Sequence, residues 1–242
     1  MHAIVAAAGE GRRLRPVTTR WPKAVLPIDG RPVVGSLLRQ LAAAGVKHVW
    51  LVTGHLAEQV EALVGTGEGF GVEVSYVRQP SVLGSADAVQ RAFRAGAPLP
   101  VLVAAADTVF RDGDIAAFVA ASTVPGLGGA IAVRRDPPPG PARRAVRVRD
   151  GLVVRVRDDD PANPLSGAPL WMVGAAVADR LCRDREPFEL ANAYQAAVDD
   201  GARIAAVEIG KTRDLTDPLD VVEENFPYLK PFGRDVPGVG RC

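Results

Sequence analysis

The chain has 242 residues, 48% of them apolar, with a formal net charge of +1. That length and apolar content suit one large α/β domain better than two small ones. The near-neutral balance argues against an extended nucleic-acid surface or a membrane-binding face, and no apolar run reaches the roughly 18 residues of a spanning helix. Cys182 and Cys242 are far apart and suggest neither a disulfide framework nor a zinc site. The N-terminus carries no charged segment ahead of its first apolar run, so the expected setting is the cytoplasm.

Ala3–Ala8 has the length and composition of a buried strand, and Gly9-Glu10-Gly11 follows as a tight turn. Val33–Ala44 has helical spacing and stops at Gly45. A second strand is predicted at Val46–Thr53, a short helix at Leu56–Val64, a third strand at Val72–Val77 and an amphipathic helix at Ser85–Arg94. Val101–Ala105 is a very apolar strand leading into Asp107. This alternation implies a mostly parallel sheet covered on both faces by helices, with ligands at the carboxyl ends of the strands. The second half is less regular. Asp136-Pro-Pro-Pro-Gly-Pro-Ala142 is a loop, and Ala145–Arg149 and Leu152–Arg157 flank the hairpin signal Asp150-Gly151. Pro169–Ala178 reads as a strand, Glu189–Asp199 as a helix and Arg203–Ile209 as the last strand. No fixed repeat is present, and Pro231–Cys242 is a Gly/Pro-rich tail.

The turn after the first strand carries the chemistry. Its two glycines let backbone N–H groups approach a polyphosphate, and Arg13 and Lys23 add positive charge. It is not a Walker loop, because no Gly-Lys-Ser/Thr follows, and the third glycine of a dinucleotide fingerprint would fall at Leu14. Ala7, Ala8, Gly9, Gly11, Arg13, Leu14, Pro16, Thr18, Pro22, Lys23, Pro27, Gly30 and Pro32 fill every fixed position of the pattern A-[AG]-G-x-G-x-R-L-x-P-x-T-x-x-x-P-K-x-x-x-P-x-x-G-x-P. In this the chain resembles the sugar-phosphate nucleotidylyltransferases.

The resemblance implies an α/β fold of three layers, Rossmann-like, around a mostly parallel mixed sheet. Residues 1–230 would form a single nucleotidyltransferase domain, with a nucleotide-binding half at 1–110, an acceptor-binding half at 111–230 and a C-terminal tail at 231–242. It further implies that Ala7, Ala8, Gly9, Gly11 and Arg13 hold the triphosphate, and that Arg13, Lys23 and Asp107 are catalytic. Asp107 and Asp214 would hold Mg²⁺. Asp214 lies in Thr212-Arg-Asp-Leu-Thr-Asp-Pro-Leu219, which resembles W-x-D-[IL]-G-T-P-x-D but has Thr216 and Asp217 in place of Gly-Thr. Read from the residues alone, the same segment is a helix start, with an N-cap before Pro218.

Gln79-Pro-Ser-Val-Leu-Gly-Ser-Ala86 resembles the nucleobase loop Q-x-x-x-L-G-T-A, with Gln79, Gly84 and Ser85 at the base. A Gln amide has both a donor and an acceptor, so it can pair with the N3–H and O4 of uracil or thymine. The acceptor side departs from the family. Asp159-Asp160-Pro161 stands where relatives carry Glu-Lys-Pro, and Met172 where they often place Asn, while Gly174 is kept as an acceptor-binding position beside Lys23. Arg143, Arg144 and Lys211 are alternative cations for the acceptor phosphate.

The implied activity is transfer of a nucleoside monophosphate from an NTP, UTP or dTTP favoured, to a sugar 1-phosphate, releasing pyrophosphate. Two other readings stand beside it. One is a cytidylyltransferase for a non-sugar acceptor such as phosphocholine or a phosphonate. The other is a catalytically silent NDP-sugar-binding module, which should have lost Arg13, Lys23 or Asp107. The partners are the two small substrates, with no nucleic acid and no membrane, and a homo-oligomer is left open.

Overall fold

The computed structural model describes residues 1–135, 145–181 and 188–226. The loop 136–142, Arg143, Arg144, Cys182 and the tail 231–242 lie outside the described residues.

The first half alternates as its apolar periodicity predicts. It runs through β1 (His2–Ala7), the short strands β2 (Pro27–Ile28) and β3 (Arg31–Pro32), α1 (Val33–Ala43), β4 (His48–Thr53), α2 (Ala57–Val64), β5 (Glu73–Arg78), α3 (Ser85–Arg94) and β6 (Val101–Ala105). The two-residue β7 (Thr108–Val109) and α4 (Asp114–Ser122) follow. The second half contains β8 (Gly129–Arg134), the hairpin β9 (Ala145–Arg149) and β10 (Leu152–Asp158), β11 (Ser166–Val173), α5 (Ala175–Ala178), α6 (Leu190–Asp199), β12 (Ile204–Glu208), β13 (Arg213–Asp214) and α7 (Pro218–Asn225).

Nine strands form one sheet in the order β5-β4-β1-β6-β11-β8-β12-β10-β9. The pairs β5–β4, β4–β1, β1–β6 and β8–β12 are parallel, whereas β11 runs antiparallel to both β6 and β8. Strands β1, β6, β8 and β12 therefore all end at one rim of the sheet. β1, β4 and β6 are buried on both faces, as their continuous apolar runs require. One core lies between the sheet and α1, α2 and α4, and includes Leu37, Leu38, Leu41, Val60, Leu102 and Phe118. A second lies under α3, α5 and α6, and includes Val89, Val103, Ile131, Val177, Leu190 and Tyr194. These are the three layers expected from the sequence. None of the described helices is long and apolar enough to cross a membrane.

Two strands of the nine-stranded sheet differ from the sequence reading. β8 is a strand the sequence analysis did not separate from its Gly-rich surroundings. The predicted strand at Pro169–Ala178 begins earlier and stops at Val173, because Gly174 turns the chain into α5.

Candidate active site

The signature loop leaves β1 at the carboxyl rim and is tied down by its own backbone. Gly11 has φ +61°, and a Cβ there would lie 2.8 Å from Thr18 Cγ2, so only glycine fits against the threonine. Thr18 Oγ1 donates to the Gly11 carbonyl at 2.9 Å. His55 Nε2 bonds the Thr18 carbonyl at 2.7 Å, and Gln59 Nε2 donates to the Arg20 carbonyl at 2.9 Å. His55, just past β4, therefore anchors the loop, a positional role that neighbouring residues in sequence do not reveal. Gly54 serves the same junction, since a Cβ there would meet Ala8 Cβ and the Gln79 carbonyl oxygen, each at 2.8 Å. Ala7 and Ala8 are buried, and Gly9 has open space around its Cα. Arg13 is exposed, while its neighbours Arg12 and Arg15 both pair with Glu10.

Lys23 and Asp107 meet. The Lys23 ammonium forms an ion pair with Asp107 Oδ2, joining the signature loop to the end of β6. Asp107 is not a helix cap, since the N-cap of α4 is Gly113. Asp214 arrives beside it because β13 pairs with β7: Asp214 lies opposite Thr108, and the Leu215 N–H donates to the Asp107 carbonyl at 3.3 Å. The short β13 is itself held by Arg213, which binds both Asp29 and Glu224. Asp29 first and then Glu224 hold that guanidinium above its ordinary pKa, against partial burial acting the other way. Asp217 caps α7 and shares a capping box with Asp220, with Pro218 inside the first turn. The helix-start reading and the placement of Asp214 at the rim hold together, since they involve different residues.

Asp214 Oδ2 accepts from Arg134 Nη1 and from Thr212 Oγ1, each at 2.9 Å, while Oδ1 is buried and has no partner among the described residues. Asp107 and Asp214, from distant parts of the chain, are thus brought to the same rim by their backbone pairing. Among the described residues no group of three or more His, Cys, Asp or Glu stands together, so a cation here would rest on these two acids.

The Gln79–Ala86 loop is also at the rim, and its contacts refine the sequence reading. Gln79 is buried, and its Nε2 donates to the Gly84 carbonyl at 3.1 Å and to Asp87 Oδ2 at 2.9 Å. Both amide hydrogens are therefore engaged. The two-point contact with N3–H and O4 is not offered in this arrangement, and the Oε1 acceptor is what remains for a base. Ser85 Oγ donates to Glu189 at 2.6 Å and accepts from the Leu190 N–H at 2.8 Å, so its hydroxyl stitches the loop to α6. Gly84 has φ +117°, and an added Cβ would sit 2.5 Å from the Phe188 carbonyl oxygen. Gly84→Ala is accordingly expected to cost about 1–3 kcal/mol of backbone strain. Scanning calorimetry should show this as a fall in Tm of roughly 5 °C.

Gly174 is a correction. β11 is antiparallel to β6, with Val173 opposite Val101, so Gly174 lies at the amino end of β6, across the sheet from Asp107. A Cβ at Gly174 would meet the Gly128 carbonyl oxygen at 2.5 Å, which accounts for the glycine by packing alone. Met172 is likewise a core residue there. The rim end of β11 is Ser166-Gly167-Ala168, and Ser166 is paired with Arg134. Arg134, 6% exposed at its side chain and joined to Asp214, is the rim residue the sequence analysis missed. The run Ala130-Ile131-Ala132-Val133 before it was the available signal.

A family model described as nucleotidyl transferase matches residues 2–137. The chain is 30% identical over 260 residues to the glucose-1-phosphate thymidylyltransferase of Streptomyces antibioticus, covering 98% of this chain and 69% of that one. It is 27% identical over 239 residues to the low-salt glycan biosynthesis nucleotidyltransferase Agl11 of Haloferax volcanii, covering 95% of this chain and 66% of that one. The chain thus spans about two thirds of the length of these curated relatives. Its fold superposes with a TM-score of 0.83 at 19% identity on a Bacillus anthracis crystal structure assigned as a glucose-1-phosphate thymidylyltransferase, covering 100% of this chain and 98% of that one. With its full signature loop, the Lys23–Asp107 pair and Asp214 gathered at one rim, the chain belongs to the nucleotidyl transferase family and, within it, to the sugar-phosphate nucleotidylyltransferases.

Proposed function

We propose that this chain transfers a nucleoside monophosphate from an NTP to a sugar 1-phosphate, releasing pyrophosphate. The observation that carries the reading is the ion pair between Lys23 of the signature loop and Asp107 at the end of β6. It sets a phosphate-binding cation against a metal-binding acid where the polyphosphate would enter.

The reaction needs no protein nucleophile. An oxygen of the acceptor phosphate attacks the α-phosphorus, the bond between that phosphorus and its bridging oxygen to the β-phosphate breaks, and pyrophosphate leaves with the electron pair. Catalysis is then positioning and charge stabilisation. The N–H groups around Gly9 and Gly11 cradle the triphosphate, on a loop made rigid by Thr18 and His55. Arg13, exposed on that loop, stabilises charge on the departing pyrophosphate. Lys23 exchanges its carboxylate partner for phosphate oxygens when the nucleotide enters.

Enzymes of this family use a divalent metal, and the donors here suit Mg²⁺, with carboxylates of Asp107 and Asp214 and an unpartnered Oδ1 on the latter. Bound there, Mg²⁺ would neutralise the α-phosphate and leave coordination positions for water and phosphate oxygens.

The nucleobase preference we propose is UTP or dTTP, with the one group of the Gln79 amide left free among the described residues, Oε1, accepting from the N3–H of the base. Asp87 fixes the amide orientation, because a flipped amide would turn its oxygen onto a carboxylate. Gln79→Glu should loosen the loop, since a second carboxylate would face Asp87 and the Gly84 carbonyl would lose its donor, and through that displacement weaken the pyrimidine preference. A kcat/KM comparison of UTP, dTTP, CTP, GTP and ATP on both proteins checks this; GTP as the best substrate of the unaltered enzyme would refute it. The activity itself is tested by following pyrophosphate release for each NTP against a panel of sugar 1-phosphates and phosphocholine. Release with none of these pairs would overturn the reading.

A further inference from the structure

The acceptor side lacks a cation where the signature of relatives places one. Asp160 stands at the lysine position with its side chain 47% exposed, and its carboxylate lies 4.0 Å from Arg147 Nη2. The neighbouring Asp158 is buried against the same arginine, accepting from Nη2 at 2.8 Å and from Nε at 3.0 Å. Arg135 is taken up by Glu208 at 2.9 Å. These acids repel a phosphate, and the arginines beside them are already neutralised. Lys211 has a partner of its own as well.

Arg134 is paired too, with Asp214, but differs in its burial and in keeping an unmet donor among the described residues. It ends β8, whose carboxyl end shares the rim with β1 and β6, and its side chain is 6% exposed. A guanidinium has five N–H donors. Nη1 serves Asp214 at 2.9 Å, whereas Nε is buried and meets no acceptor among the described residues. Asp214 balances the charge, but a buried N–H donor with no acceptor carries a desolvation penalty, which a phosphate oxygen would remove. The guanidinium fork also matches phosphate better than an ammonium does.

Building on the transferase reading, we propose that Arg134 binds the acceptor's phosphate or phosphonate group, in the role left open by Asp160. It then stands between the acceptor and Asp214, and fixes the attacking group beside the metal-binding acids.

The test is calorimetric titration of glucose 1-phosphate and, separately, phosphocholine onto protein saturated with Mg²⁺ and α,β-methylene-dTTP. Arg134→Met should weaken whichever phosphate probe binds by about 10–100-fold, the worth of hydrogen bonds to a charged group. Nucleotide affinity should not move, any shift of the Mg²⁺ half-saturation point from the loss of the Asp214 pair should be smaller than the loss of probe affinity, and Arg147→Met should bind the probe normally. Arg134→Lys keeps the charge and loses the fork, and carries the same test if Arg134→Met fails to fold. Unchanged probe affinity in these variants overturns the proposal. So does a loss confined to Mg²⁺ and nucleotide, which would make Arg134 only a support for Asp214, and so does failure of the unaltered protein to bind either probe. If no substrate pair is turned over yet Arg134→Met still loses the probe, the transferase reading falls and the Arg134 assignment stands.

Discussion

Asp107→Asn should lower turnover on the order of 10³-fold, because it removes one unit of negative charge from the proposed metal site. The substitution keeps side-chain volume, and Asp107 is 32% exposed, so the fold should persist. Its pairing with Lys23 is partly solvated, and such pairs are worth about 0–1 kcal/mol, so Tm should shift little. Initial rates across a Mg²⁺ series, set beside a thermal melt, separate the two effects. Near-normal turnover at low Mg²⁺ would remove Asp107 from the metal site.

Lys23→Ala is the companion case with the opposite charge. It should reduce kcat/KM by about 10²–10³-fold while leaving the melt nearly unchanged. The ammonium is 18% exposed at a cleft, and its recorded bond is to Asp107. Once it is gone, water can solvate the Asp107 carboxylate, so little structural energy is lost. The measurement is kcat/KM for the NTP at saturating acceptor, together with calorimetry. A variant that is largely unfolded but has normal specific activity in its folded fraction would make Lys23 a structural residue.

The first half of the fold is legible because its signals are local. Ser85–Arg94 and Val101–Ala105 coincide with the sequence reading, and β1, α1, β4, α2 and β5 shift by only one or two residues at their ends. Long apolar runs and helical spacing decide such elements whatever their neighbours do. The second half depends on partners. β8 is short and rich in Gly and Ala, and becomes a strand because β11 and β12 pair with both its edges. Missing β8 meant missing Arg134, which gains its meaning only from the rim. β7 and β13 contain two residues each, too few for any periodicity, yet their pairing brings Asp214 to Asp107. The place of Gly174 is hidden for the same reason, since its residues show a strand but not the direction in which it runs. At Gln79 the residue was legible and its orientation was not, because Asp87 sets the latter through a side-chain bond.

The antiparallel insertion of β11 between β6 and β8 has a consequence for how the chain is made. Val101–Ala105 is wholly apolar, and one of its edges stays bare until residues 166–173 emerge to pair with it. A nascent chain that has completed the Gly9–Lys23 loop and Asp107 therefore exposes an unpaired hydrophobic ladder throughout the synthesis of the intervening segment. Such an edge is prone to pairing with other chains, and non-local closure of this kind slows folding. The half that carries the signature loop is thus first in sequence order yet depends on a later strand to cover its central one, so its maturation is tied to that of the second half.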